Sequence, residues 1–449
     1  MERTEREHLG RMVDRRVKSL FPDGAVQRAV LLRHGEDPDV PPGEVRIQVF
    51  VASGDLAAWR ETHQDQIIDL RLEVSRRLPS ARVIEFVSAD EPENRFTVDD
   101  DGSLAAEQMP AREIVATALE LLRANYVFPE LAEEAAVAVE ARLAAGEYDN
   151  LDEIALSELL TEHLNQVCDD KHLRVRLGGG PGPHREREPE DHEPPDHEAR
   201  RLKMRRRGRL MGNFGIQRVE VLDGNVGYLD IRRVSVPEFA GPAISAAMEL
   251  VSGTYALILD LRRNHGGSPD GVVYWCSHLF PADGIPGDRP GSGPGGVHLN
   301  DIFRADTGET RQFWVLPYVP GERYLDRPVY VLASHETFSG GEDFCYTLQA
   351  LGRATVIGET TGGGAHPTRG FPISPAVHIG IPFARSVNPV TGTNWQGTGV
   401  VPDIAVPAED AFTLAYREAL GHVLAQEDVP PPLEHEARDA LETLAPAQG

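Results

Sequence analysis

Ser339 stands where a hydroxyl can act as a nucleophile. The run YVLASHETFSGGEDFCYTL reads as a buried strand ending at Ala333, a short turn carrying Ser339, and a helix that begins at once after it. A hydroxyl placed there meets the free N–H groups of a helix N-terminus. Such donors can stabilise the oxyanion of an acyl-transfer reaction. Gly340 and Gly341 leave the backbone uncovered, so a substrate carbonyl can come close. The same stretch, Ser339-Gly340-Gly341-Glu342, also fits an S-x-x-E capping box, and alone it reads first as a cap.

Four further stretches carry residues of chemical interest. Asp260-Leu261-Arg262-Arg263-Asn264-His265-Gly266-Gly267 is a polar, glycine-terminated turn at the end of an apolar strand. Sites in parallel sheets form at such carboxyl ends, and the glycines can offer a backbone N–H to an oxyanion. The competing reading is a turn with Asp260 salt-bridged to Arg262. Asp169-Asp170-Lys171-His172 places a histidine where helix gives way to strand, although it is one of sixteen histidines and spacing alone does not select it. Gly362-Gly363-Gly364-Ala365-His366-Pro367 is a loop after a strand, with no Gly-Lys-Ser/Thr to make it a phosphate loop. Asn394-Trp395-Gln396-Gly397-Thr398-Gly399 reads as a turn leading into an edge strand.

The elements that must position these residues follow from hydrophobic periodicity. Residues 1–100 read as a small α+β accessory unit: a short amphipathic helix, strands at 26–32 and 44–51 separated by a turn-rich 35–42, a long polar helix over 55–77, and a strand at 82–87. Residues 107–177 read as a helical domain of three helices. Ile114, Ala118, Leu122 and Tyr126 form one buried face, Pro129 starts a second helix, and Leu160, Leu164 and Val167 mark the third. A strand at 171–177 follows. Residues 178–209 form a charged Gly/Pro-rich linker, acidic and then basic. Residues 210–406 alternate strand and helix, the signature of an α/β layer with right-handed crossovers. Within it, 281–327 is a long Gly/Pro-rich excursion. Residues 407–449 read as one packed helix and a Pro-rich acidic tail.

Composition narrows the partners. The 449-residue chain is 41% hydrophobic and 26% charged, an ordinary globular balance, with a net charge of -26. That charge argues against nucleic acid and against anionic membranes. Cys168, Cys276 and Cys345 are too few and too irregularly spaced for a disulfide framework or a zinc knuckle, so no metal or other cofactor is called for. The N-terminus has no apolar signal region, and no run of about 18 apolar residues appears, so a soluble, cytoplasmic chain is expected.

Taken together and in order, DLRRNHGG at 260–267, TFSGGEDF at 337–344, GETTGGGAHP at 358–367 and NWQGTGVVPDI at 394–404 resemble the S41 serine peptidases, the tail-specific or C-terminal processing proteases. DKHLRV at 170–175 and NFGIQRVEVLDGNVGYLDI at 213–231 add to the likeness. The closer similarity is to the branch that holds the tricorn core and the interphotoreceptor retinoid-binding protein modules. It spans roughly residues 107–406.

The resemblance implies a crotonase-like or ClpP-like αβ core behind a helical domain. It implies Ser339 as nucleophile and His172 as general base. Gly340 and the Gly266-Gly267 turn would supply oxyanion donors, with Gly363, Gly364 and His366 on the substrate path. Two departures stand out. The processing proteases use a lysine twenty-five residues after the serine, and here that position is Gly364. The tricorn-like branch has a carboxylate where this chain has Gln396, and a serine before the histidine where this chain has Lys171. An amide can accept the imidazole N–H but brings no charge, and such an exchange can cost about 10⁴ in rate. Asp169 or Asp170 could stand in, although neighbours so close in sequence can point away.

The function so implied is peptide-bond hydrolysis through an acyl-enzyme, on peptide or unfolded-protein substrates. Two alternatives come from other classes: a degenerate module binding an apolar ligand such as a retinoid or fatty acid, and a scaffold recruiting partners through residues 1–100 and the linker.

Overall fold

The computed structural model describes residues 109–177, 197–284, 292–293, 296–374 and 377–444, with parts of the first hundred residues. Residues 35–42, most of 55–77 and 178–196 lie largely or wholly outside it, so the turn and the acidic run expected there are not described.

The first hundred residues contain a four-stranded sheet in the order β1 (Val26–Arg33), β2 (Val45–Val51), β3 (Ala81–Ser88), β4 (Arg95–Val98). The last strand was not anticipated. Leu56, Trp59, His63, Ile67 and Leu70 are helical and buried, the i, i+3, i+4 spacing of one helix face.

Three helices follow: α1 (Ala111–Asn125), α2 (Pro129–Ala144) and α3 (Glu153–Cys168). Ile114, Ala118 and Leu122 form the expected buried face, and Tyr126 is buried just beyond the helix end. Asp152 caps α3 by accepting from the Ala155 N–H at 2.8 Å. At the other end Asp169 adopts a left-handed conformation (φ 44°, ψ 45°) and stops the helix. The chain then enters β5 (Arg174–Leu177). Beyond the undescribed stretch, the basic end of the expected linker is a helix, α4 (His197–Leu210).

The alternating αβ region expected over 210–406 is built on a six-stranded sheet that starts with β6 (Ile216–Leu222), β7 (Val226–Ile231) and β8 (Ala256–Asp260). Only edge strand β6 runs antiparallel to its neighbour. Helices α5 (Pro237–Val251) and α6 (Pro269–Ser277) follow β7 and β8. Among its described residues, the long excursion contains strands. It holds β9 (Ser292–Gly293), β10 (Gly296–Arg304) and β11 (Thr310–Trp314), paired antiparallel. Glycine and proline density masked this ribbon in the sequence.

The main sheet continues with β12 (Val329–Ala333) and, after α7 (Gly340–Ala350), β13 (Thr355–Gly358). Next come β14 (Thr368–Pro372), β15 (Val377–Pro382), β16 (Ala384–Val387) and β17 (Ile404–Ala405). The order across the main sheet is β17-β13-β12-β8-β7-β6. Its two faces are both covered, as a parallel sheet requires. Leu257, Leu259 and Val331 belong to the core shared with α5, α6 and α7. Ala256, Ile258 and Leu332 belong to the opposite core, with Ala411, Ala415 and Ala419 of α8 (Ala408–Leu424). The tail departs from expectation by forming a second helix, α9 (Pro431–Thr443), whose proline sits in the first turn, where its missing N–H costs nothing.

β15 leaves this αβ region and pairs with β5, setting Ile379 opposite Val175. Val377, Ile379 and Ile381 thereby complete the core of the three-helix unit. This pairing brings His172, just before β5, to the loop that precedes β14.

Candidate active site

Two turns at the carboxyl ends of β8 and β12 are stapled together. Thr337 Oγ1 donates to the Leu261 carbonyl at 2.8 Å, and the Phe338 N–H donates to the Asn264 carbonyl at 2.9 Å. Asn264 is fully buried. Its Nδ2 donates to the Ile231 carbonyl, and its Oδ1 accepts from the Gly266 N–H at 2.9 Å. Asp260 is braced by Tyr228 and Arg262. Burial pushes its carboxyl up, but hydrogen bonds from Arg262 and Tyr228 outweigh that and hold it below its ordinary range. Asp260 is thus a structural anchor, the second of the two readings its sequence allowed.

Ser339 sits at the tip of the stapled turns with φ 53° and ψ -122°. An ordinary N-cap residue is extended. A non-glycine residue held at positive φ stores roughly 1–3 kcal/mol and points to a positional demand. The Ser339 N–H donates to Glu342 Oε2 at 2.8 Å, the carboxylate half of a capping box, and Ser339 itself is half-buried.

The glycine pairs explain how closely the turns meet. A Cβ added to Gly266 would lie 2.7 Å from Ser339 Cβ, and one on Gly340 would lie 2.9 Å from the Gly267 nitrogen. Among the described residues, no acceptor takes the N–H of Gly340 or of Gly267. The Gly266 N–H, in contrast, is spent on Asn264. Of the three expected oxyanion donors, Gly340 and Gly267 therefore keep open N–H groups and Gly266 does not.

Glu342 is fully buried and gathers four donors. Its Oε1 accepts from Thr361 Oγ1 at 2.5 Å and the Gly363 N–H at 2.6 Å, and its Oε2 accepts from the N–H groups of Ser339 and Gly364 at 2.8 Å each. Burial raises its carboxyl, while those hydrogen bonds pull the other way. The helix start and the glycine loop after β13 are thereby locked to one carboxylate. Gly363 and Gly364 consequently differ from expectation. Their N–H groups are committed to Glu342, and their carbonyls accept from the Gly397 N–H and Trp395 Nε1. They brace the site rather than offer hydrogen bonds to substrate.

His172 packs on this frame. Its ring lies 4.6 Å from the Phe338 ring, centroid to centroid, and a Cβ on Gly364 would fall 2.6 Å from its Cε1. Gly364 and Ser339 donate to the same carboxylate oxygen, so the histidine stands beside the serine turn. Burial, first of all, holds the imidazole down to about 4; Asp170 pulls upward, while His366, Arg174 and Arg176 add to the lowering. Nδ1 is buried without a hydrogen-bond partner.

Gln396 is not that partner. Its Oε1 accepts from the Ala365 N–H at 2.8 Å, and its Nε2 donates to the Asp169 carbonyl at 3.4 Å. It tethers the glycine loop to the end of α3. Lys171 does similar work, donating to the Gly362 carbonyl at 2.6 Å. His366 also departs from expectation: it is buried, and its Nδ1 lies 2.6 Å from Asp170 Oδ2. Sequence reasoning missed Glu342 as an organiser, reading it only as half of a cap, and missed the Asp170–His366 pair, whose members lie 196 positions apart.

A mixed α/β core covered by helices on both faces, with a serine at a strand–helix turn and two open glycine N–H groups beside it, belongs to the class of S41 protease folds. Residues 225–406 match Peptidase family S41, and residues 105–204 match the N-terminal domain of Peptidase_S41 in eukaryotic IRBP. The chain belongs to peptidase family S41. Solved structures with a similar fold include a candidate S41 protease from Bacteroides fragilis (18% identity, 51% of this chain and 57% of that one, TM-score 0.37). Others are a candidate peptidase from Parabacteroides merdae (17% identity, 71% and 98%, TM-score 0.43) and mature CPAF (13% identity, 71% and 99%, TM-score 0.46). The chain thus spans less than two thirds of the first of these. Among the described residues, no helix is long and apolar enough to cross a membrane.

Proposed function

We propose that this chain is a serine-type peptidase that hydrolyses peptide bonds through an acyl-enzyme on Ser339. The observation that carries this reading is the convergence of Ser339, at positive φ, with the open N–H groups of Gly340 and Gly267. Those two donors would hold the carbonyl oxygen as it becomes an oxyanion, a role worth ~3–4 kcal/mol per donor in comparable sites.

His172 serves as general base. An imidazole held near a pKa of 4 is neutral at pH 7, the state able to accept a proton. With Nδ1 buried, Nε2 is the nitrogen left to take the Ser339 hydroxyl proton. It returns that proton to the leaving amine, and water then repeats the cycle on the acyl-enzyme. A lysine dyad is foreclosed, because Gly364 stands at the position where the processing proteases carry lysine. The substrate class is peptide or unfolded-protein segments.

Binding of an apolar ligand has less to support it. A half-open cleft of about 250 Å³ lies at the start of α1, lined by Met109, Ile114, Leu151, Leu156 and several polar residues. Pockets for drug-sized ligands run to ~300–1,000 Å³ and are mainly apolar.

The test is a fluorophosphonate probe followed by intact-mass analysis, with Ser339→Ala as control. One adduct, lost in the variant, is expected. No adduct under conditions that label a known serine hydrolase would overturn the reading.

A further inference from the structure

The weak point of the site is His172 Nδ1. For Nε2 to accept a proton from Ser339, the neutral ring must carry its own proton on Nδ1, and that proton needs an acceptor. Gln396 does not supply one, its carbonyl being taken by Ala365.

Asp170 stands closest among the carboxylates recorded near the ring. It is fully buried, and its Oδ1 lies 3.9 Å from His172 Nδ1, just beyond hydrogen-bond reach. The local backbone explains why a neighbour only two positions away points inward. The left-handed Asp169 ends α3 and leaves its own side chain at the surface, while Asp170 turns into the core. Asp170 Oδ1 then accepts the His172 backbone N–H at 3.0 Å, and the Leu173 N–H donates to the Asp170 carbonyl at 2.9 Å. This is an Asx-type turn that fixes carboxylate and imidazole relative to each other. The other oxygen, Oδ2, is held at 2.6 Å by His366 Nδ1 from the far side of the fold. His366 is in turn packed edge-on against Phe128.

We infer that Asp170, held by His366, is the positioning carboxylate of His172, the role that the aligned Gln396 cannot fill. This rests on the serine-peptidase reading above. When Ser339 gives its proton to Nε2, the ring becomes cationic and its Nδ1–H closes on Asp170 Oδ1. The proton moves from Ser339 oxygen to His172 and later to the leaving amine, and none passes to Asp170. The charged and titratable groups that act on the ring are Asp170, Arg174 and Arg176 from its own segment, and His366 from the glycine loop. The Tyr126 hydroxyl and the Cys168 thiol face Asp170, and both are held protonated chiefly by burial.

The test reads the His172 titration directly, by NMR of the full chain carrying histidine labelled at Cε1, with His172→Gln used for assignment. In Asp170→Asn the midpoint should fall by about one pH unit, because an opposite charge that favours the imidazolium is gone. Ser339 labelling by a fluorophosphonate should slow by at least about 100-fold, with its acid limb displaced in the same direction. If Asp170→Asn does not fold, His366→Leu provides the second arm. It frees Asp170 for His172 and removes the imidazole that lowers it, so the His172 midpoint should rise. An unchanged midpoint in whichever variant folds overturns the assignment. A midpoint that moves as stated in a chain whose Ser339 is never labelled keeps the pairing and removes the peptidase reading instead.

Discussion

The His172 ring fills the space that a side chain on Gly364 would need: a Cβ at that position would lie 2.6 Å from His172 Cε1 and 2.4 Å from the Phe338 ring. A histidine base here and a lysine at 364 are therefore sterically exclusive. Introducing Gly364→Lys should not create a Ser–Lys dyad. It should displace His172 or Phe338 and lower Ser339 labelling by about 100-fold or more, and Gly364→Ala should behave alike, since the clash begins at Cβ. Retention of the wild-type labelling rate in Gly364→Ala would show that the ring is not where it is needed.

Glu342 offers a stability prediction. Removing its carboxylate in Glu342→Ala leaves Thr361 and three backbone N–H groups without their acceptor. Each buried orphan costs ~1–3 kcal/mol, partly relieved if water enters, so a net loss of about 3 kcal/mol or more is expected in urea unfolding. Glu342→Gln should cost less, yet it turns donor against donor at one oxygen and should still slow Ser339 labelling about tenfold. A denaturation midpoint within error of wild type in both variants would remove Glu342 as the organiser.

Gln396 gives the converse case. Because its amide joins Ala365 to Asp169 and does not reach the imidazole, Gln396→Ala should cost about 1 kcal/mol of stability and less than tenfold in labelling. Gln396→Glu, which restores a carboxylate at that aligned position, should bring no gain in rate. A large gain in single-turnover acylation would transfer the orienting role back to residue 396.

The pH dependence follows from His172. Its folded pKa is depressed to about 4, chiefly by burial, against an ordinary 6.5. The neutral, base-competent ring is thus fully present at pH 7 and is lost only as pH falls through the folded value. Acylation of Ser339 should hold its plateau below pH 6 and fall off nearer 4 than 6.5, measured as labelling rate across pH 3.5–8 within the stability range. A midpoint near 6.5 would mean a ring more open to water than the packing against Phe338 and Gly364 allows.

Much of the site was legible in the sequence because it depends on local chemistry. A continuous apolar run such as YALILDL can only be a buried strand or helix segment, and glycine turns at its end mark where a backbone must come close to something. Ser339 and the Gly266-Gly267 turn could thus be singled out from short stretches, with the family resemblance deciding between cap and nucleophile and selecting His172 among sixteen histidines. The three helices and the alternating core were readable for the same reason, each being set by periodicity within one segment.

What only the tertiary structure decided are pairings between segments far apart in the chain. The antiparallel pairing of β15 with β5 depends on hydrogen bonds whose partners no local pattern names, and it alone carries His172 to the glycine loop. The Asp170–His366 contact depends on that pairing and on one left-handed residue, Asp169. The fate of each backbone N–H is likewise a three-dimensional fact: Gly266 and Gly267 are identical neighbours in sequence, yet Asn264 consumes the first N–H and leaves the second open. Residue type and spacing determined which groups this chain could bring to a reaction, and the fold decided which of them remain free to take part.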